Sequence, residues 1–187
     1  MVSVGLRGFV GQSMRGNRPR ATINTYSYAP GSYTWTCPRT GLWRFVLWGG
    51  AGMGSSGGSS NGASGAYYEA VRWVVSGQQV ALVVGTVHQD TVATFPNGEA
   101  LVAGGGILTT PGVATATGSD IAYNGSAPGN PGLGSGGGTA SGGAGAPGNG
   151  HYRGGSGGNR PTAPGAGGDG SSNTGASGLA LVVPAKI

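Results

Sequence analysis

Hydrophobic and polar residues alternate in short runs separated by glycine, and the period of two predicts strands rather than helices. Residues 33–37 (Tyr-Thr-Trp-Thr-Cys) alternate large apolar side chains with threonine, and Pro38-Arg-Thr-Gly41 breaks the run. Leu42-Trp-Arg-Phe-Val-Leu-Trp48 then sets Trp43, Phe45 and Leu47 on one face. Its other face carries Leu42, Arg44, Val46 and Trp48, so this strand is expected to be buried on much of both sides. Residues 67–75 place Tyr67, Glu69, Val71, Trp73 and Val75 opposite Tyr68, Ala70, Arg72 and Val74. A turn at Ser76-Gly77 leads into residues 80–84, which are expected to return as its hairpin partner. A shorter pair is expected at 91–95 and 99–103, joined by Pro96-Asn97-Gly98, and Leu179-Ala-Leu-Val-Val183 closes the sheet. The fold class is therefore mainly β: a small antiparallel β-sandwich with long glycine-rich loops.

The loops raise a separate question. Of 187 residues 44 are glycine, against roughly 7% in average usage. Residues 49–65 hold eight glycines in seventeen positions, and residues 104–178 hold twenty-seven in seventy-five. Both tracts are bracketed by strands, so their ends are anchored, and structureless loops of that length are rare in compact domains. Glycines recur at every third position at 142, 145, 148, 154 and 157, with His151 at the one exception. A polyproline-II strand has three residues per turn and no internal hydrogen bonds. Glycine at every third position leaves one face of such a strand without β-carbons, so that neighbouring strands can pack closely and exchange backbone hydrogen bonds. Packed polyproline-II-type (polyglycine) strands are favoured over a mobile loop.

Ten Lys and Arg against five Asp and Glu give a net charge of +5. Arg7, Arg15, Arg18, Arg20, Arg39 and Arg44 all precede the first acid, Glu69. Residues 1–32 are expected to be a basic arm, solvated or docked on a partner, and residues 33–187 the glycine-rich β domain. The arm holds neither aromatic platforms nor a nucleic-acid motif, so specific nucleic-acid binding is not expected. No run approaches the roughly 18 apolar residues of a membrane span, and no secretory signal is expected at the N-terminus. Cys37 is the single cysteine, expected as a small buried hydrophobe.

Motifs for chemistry fail on inspection. Gly52-Met-Gly54-Ser-Ser-Gly57 fits the dinucleotide pattern, but the following Ser/Gly-rich residues are poor helix formers, and that motif needs a helix. No Gly-Lys-Ser/Thr exists for a phosphate loop. His88 and His151 lie in neither a nucleophile elbow nor a zinc helix. The five acids, at 69, 90, 99, 120 and 169, are scattered, whereas a glycosidase needs paired carboxyls. No enzyme, cofactor or metal is expected. The four tryptophans, Trp35, Trp43, Trp48 and Trp73, are expected in the core, with sugar stacking open only to one that is exposed.

The order of strands and tracts resembles a known family. Trp35-Thr-Cys-Pro38 leads into Leu42-Trp-Arg-Phe-Val-Leu-Trp48-Gly49-Gly50, and a glycine run closes on Gly65-Ala-Tyr-Tyr68. Val75-Ser-Gly-Gln78, Val80-Ala-Leu-Val-Val-Gly85, Leu101-Val-Ala-Gly-Gly-Gly106 and the closing apolar strand follow. This is similar to the glycine-rich domain of bacteriophage tail-fibre and other virion proteins, over residues 33–187. Ser76-Gly77 stands where that family has Pro-Gly. The resemblance implies a non-enzymatic virion protein, assembled in a host cytoplasm, a homo-oligomer with a trimer favoured. Other virion proteins would hold the arm through Arg7, Arg15, Arg18 and Arg20, while a loop tip at His151, Tyr152 and Arg153 would meet a host-surface receptor. Capsid decoration or a head fibre is the alternative within that class, and an ice-binding or surface-coating polyglycine bundle the alternative outside it.

Overall fold

The computed structural model describes residues 25–53, 62–107, 110–125 and 175–185. Among these the chain forms nine strands and no helix. They are β1 (Tyr26–Tyr28), β2 (Gly31–Thr36), β3 (Gly41–Trp48), β4 (Tyr67–Val74), β5 (Gln79–Val84), β6 (Thr91–Thr94), β7 (Ala100–Ala103), β8 (Ile121–Tyr123) and β9 (Leu179–Pro184). One sheet has the order β1-β9-β3-β4-β8 and the other β2-β5-β6-β7, with every pairing antiparallel. The sandwich begins at Tyr26, inside the segment assigned from sequence to the arm, and Gly31 and Ser32 already pair with Val84 and Val83.

The strand segments expected from alternation are present, but one connection is not as expected. β4 and β5 do not pair across Ser76-Gly77; they belong to different sheets. The reason is a single register. Gly31↔Val84 through Thr36↔Gln79 and Gly41↔Val74 through Trp48↔Tyr67 all join positions whose numbers add to 115. Residues 31–48 and 67–84 are thus one long hairpin that folds over itself, and its two halves become the two sheets. The fold line crosses Pro38-Arg-Thr40 on one strand and Val75-Ser-Gly77 on the other. There the Cys37 N–H donates to the Gln78 carbonyl at 2.8 Å, and the Ser76 N–H donates to Thr40 Oγ1 at 2.9 Å. Gly77, with φ +82, takes the third position of a turn closed by Gln78 N–H to the Val75 carbonyl. The β6–β7 connection through Pro96-Asn97-Gly98 is a true hairpin, with Gly98 at φ +86.

Between the sheets lies one core. β2 contributes Trp35, β3 contributes Trp43, Phe45 and Leu47, and β5 contributes Val80, Leu82 and Val84. Edge-to-face ring contacts run from Trp43 to Trp35 (5.0 Å), Trp35 to Phe45 (5.6 Å) and Phe45 to Phe95 (4.9 Å). Cys37 is buried against this cluster, as its apolar run predicts. β3 is buried on both sides: Val46 and Trp48 join Tyr67, with Ile121, Leu179 and Leu181, in a second cluster on the outer face of the five-stranded sheet.

One ionic clamp ties the sheets together at the β7/β8 edge. Arg72 of β4 donates from Nη1 and Nη2 to Asp120 Oδ1 and Oδ2, both at 2.6 Å, and from Nε to Glu99 Oε1 at 2.7 Å. The Tyr68 hydroxyl donates to Asp120 Oδ2 at 2.8 Å. Burial alone would raise the Asp120 pKa, but the hydrogen bonds from Arg72 and Tyr68 outweigh it and hold the carboxyl below its usual range. A carboxyl depressed in the fold contributes stability above its unfolded pKa of about 3.9 and loses it as pH falls through the folded value. Asp120→Asn is therefore expected to cost about 2–3 kcal/mol in urea unfolding at pH 7. The gap to the unaltered protein should narrow below about pH 4. A gap that stayed constant to pH 3 would show that the carboxylate charge contributes nothing.

Candidate functional site

All nine strands have an end at one pole of the sandwich: β1, β3, β5, β7 and β8 leave there, and β2, β4, β6 and β9 begin there. Glycine-rich segments occupy this pole, and their hydrogen bonds follow a different rule from the sheets. The Gly49 N–H donates to Ala66 O at 3.0 Å, Gly50 to Gln89 O at 2.8 Å, Ala51 to Ala176 O at 2.9 Å and Gly52 to Ala63 O at 2.7 Å. Three successive donors point to three different segments, and the fourth returns to the first. A ladder would return after two residues; a return after three is the repeat of a threefold extended strand.

Residues 104–106 behave alike. Gly104 donates to Val113 O at 3.1 Å, Gly105 to Asp90 Oδ1 at 2.7 Å and Gly106 to Gly50 O at 2.8 Å. Ala66 N–H to Gly104 O, Gly112 N–H to Ser64 O, Gly125 N–H to Gly112 O and Gly178 N–H to Gly85 O complete the nest.

Glycine is required here for space. A methyl on Gly49 or Gly112 would overlap the Gly104 carbonyl, on Gly50 the Thr86 carbonyl, on Gly65 the Gly49 carbonyl and on Gly125 the Ser64 carbonyl. None of these glycines has a left-handed φ. Each bond is worth about 0.5–1.5 kcal/mol net, close to the roughly 1–2 kcal/mol needed to order a residue, so the nest depends on the sandwich that gathers its segments.

His88 and Asp90, the pair that a triad would need, are both committed to this backbone. His88 adopts φ 67. Its Nε2 accepts the Met53 N–H at 3.1 Å, and its own N–H donates to Ala51 O at 3.0 Å. Asp90 accepts from Gly105. Glu69 accepts from the Tyr67 hydroxyl and meets Arg44 Nε at 3.3 Å, and Glu99 and Asp120 hold Arg72. No cluster of three or more metal-ligating side chains occurs among the described residues.

The residues assigned from sequence to virion attachment (Arg7, Arg15, Arg18 and Arg20) and to host contact (His151, Tyr152 and Arg153) lie outside the described residues. So do the periodic glycines at 142–157. What the structure places is the pair of positions flanking that stretch: Gly125 and Gly175 are both packed in the nest, the latter against Ala51 and Gly52. Met53 and Gly62, which flank residues 54–61, are there too. Nest members such as Gly85 and Gly178 stand singly in the sequence, where nothing local marks them. No protein-family model matches the chain, and no curated protein matches it either.

Substitution separates the two uses of glycine. Gly50→Ala should lower the midpoint of thermal unfolding by about 6–12 °C, or abolish folding, by forcing a methyl into the Thr86 carbonyl. Gly41→Ala, whose methyl would meet nothing within 4 Å, should shift it by less than about 2 °C. Equal midpoints for the two variants would refute a close-packed nest.

Proposed function

We propose that the chain is a non-enzymatic structural protein of a bacteriophage particle, in a tail fibre or tail tip, that presents glycine-rich stretches to the host surface. The observation that carries this reading is the nest, in which the residues flanking 54–61 and 126–174 are held against one another at one pole of a rigid sandwich. Such a pole is suited to display: it fixes the positions of the residues on either side of both stretches. The threefold hydrogen bonding at Gly49–Gly52 is the pattern that glycine at every third position would permit, and glycines stand at that spacing at 142, 145, 148, 154 and 157. The four described carboxylates each serve a structural contact, which favours a binding role over acid–base catalysis. In this reading the basic arm joins other virion proteins, the assembly is a homo-oligomer with a trimer favoured, and the loop tip at His151, Tyr152 and Arg153 meets a host receptor.

Particles carrying the chain should show it at the tail by immunogold labelling. Replacing His151, Tyr152 and Arg153 together with serine should leave incorporation unchanged and reduce host adsorption at least tenfold. Replacing Arg7, Arg15, Arg18 and Arg20 with serine should instead reduce incorporation. Absence of the chain from purified particles would overturn the reading.

A further inference from the structure

Three of the four tryptophans are buried to 2% exposure, whereas Trp73 is 63% exposed. It lies on the outer face of the five-stranded sheet, directly opposite Leu42, with exposed Val71 and Val75 two residues away on either side. The same face is covered at its other end, where Val46, Trp48 and Tyr67 are buried. The boundary between the two halves is polar. Arg44, opposite Val71, reaches Glu69 at 3.3 Å, and the Tyr67 hydroxyl donates to the same carboxylate. At that boundary a pocket of about 210 Å³ opens between Arg44, Glu69, Ala70, Val71, Ser119 and Ile121.

We propose that this strip binds an uncharged oligosaccharide, with one sugar ring stacked on Trp73 and a ring further along the same chain seated in the Arg44–Glu69 pocket. The strand rise of about 3.4 Å per residue puts Val71 about 7 Å along from the indole and Glu69 about 7 Å further. A linear arrangement of that length matches linked rings better than a compact ligand. The chemistry is complementary at each step. The C–H face of a pyranose covers an indole that is otherwise left in water. Hydroxyl groups can both accept from a guanidinium and donate to a carboxylate. Arg44 and Glu69 neutralise one another, so the pocket offers no net charge to an acidic ligand. An apolar protein partner would leave this ion pair buried and without hydroxyl partners at the rim, which is costly. The site is built from the sandwich alone and does not depend on the virion reading.

Because Trp35, Trp43 and Trp48 are buried, iodide-quenchable fluorescence of the full chain reports on Trp73. Cello-, galacto- and N-acetylchito-oligosaccharides would be titrated against that signal and, in parallel, by calorimetry. Binding of at least one series is expected, with protection from iodide. Trp73→Ala should weaken it at least tenfold, and Trp73→Tyr should keep it within about threefold. Both variants should melt with the unaltered protein, since the side chain is mostly in solvent. Absence of binding by every series would overturn the proposal. So would binding unaffected by Trp73→Ala, or iodide protection that rises with protein concentration alone, which would instead show that a second copy covers the face.

Discussion

Backbones at one pole of this protein approach closely enough to bond directly because the β-carbons that would hold them apart are missing. Every buried N–H needs an acceptor, and where these strand ends meet, the acceptors available are mostly carbonyls of other segments. With a side chain at Gly49, Gly50, Gly65 or Gly112 those carbonyls would stand too far away, and the ends could not converge. The sheets depend on this as much as it depends on them. The register of β3 with β4 runs straight into the nest, since Gly49 bonds Ala66 and Gly52 bonds Ala63. Gly178 delivers β9 to its slot between β1 and β3 by bonding Gly85.

At the opposite pole glycine does a different job. Gly77 and Gly98 have positive φ and open space where a side chain would go, so there it is conformation that is needed and not room. Gly77 helps the long hairpin fold over itself, and Gly98 reverses β6 into β7. One residue type thus supplies close approach at one end and reversal at the other. This explains how a chain with 8% charged residues defines a unique arrangement from so little side-chain chemistry.

Much of this was legible in the sequence. Period-two alternation located β2 to β7 and β9, because each strand has one face toward the core. It also showed that β3 would be buried twice over. What it did not show is which strands share a sheet: Ser76-Gly77 has the composition of a hairpin turn, and only the shared register of β2 with β5 and β3 with β4 turns it into a fold line. β1 and β8 pair through three residues each, too short for a period to emerge. The exposure of Trp73 was hidden for a similar reason. Its alternation matches that of buried Tyr67 and Glu69 on the same strand, and the difference lies in how far along the face the covering extends.

The scarcity of charge constrains how any recognition by this sandwich can work. Among the described residues Arg44 and Arg72 and all four acids are tied to one another or to backbone, so few ionic groups remain to draw a partner from a distance. Long-range steering needs unpaired charge of one sign over a surface. The described body offers instead an indole, flanking valines and a neutralised ion pair, all of which act only at contact. Affinity built from such parts is short in range and insensitive to salt. Were the site repeated in an oligomer, a second contact would become intramolecular and add strength that the field of a single copy does not supply.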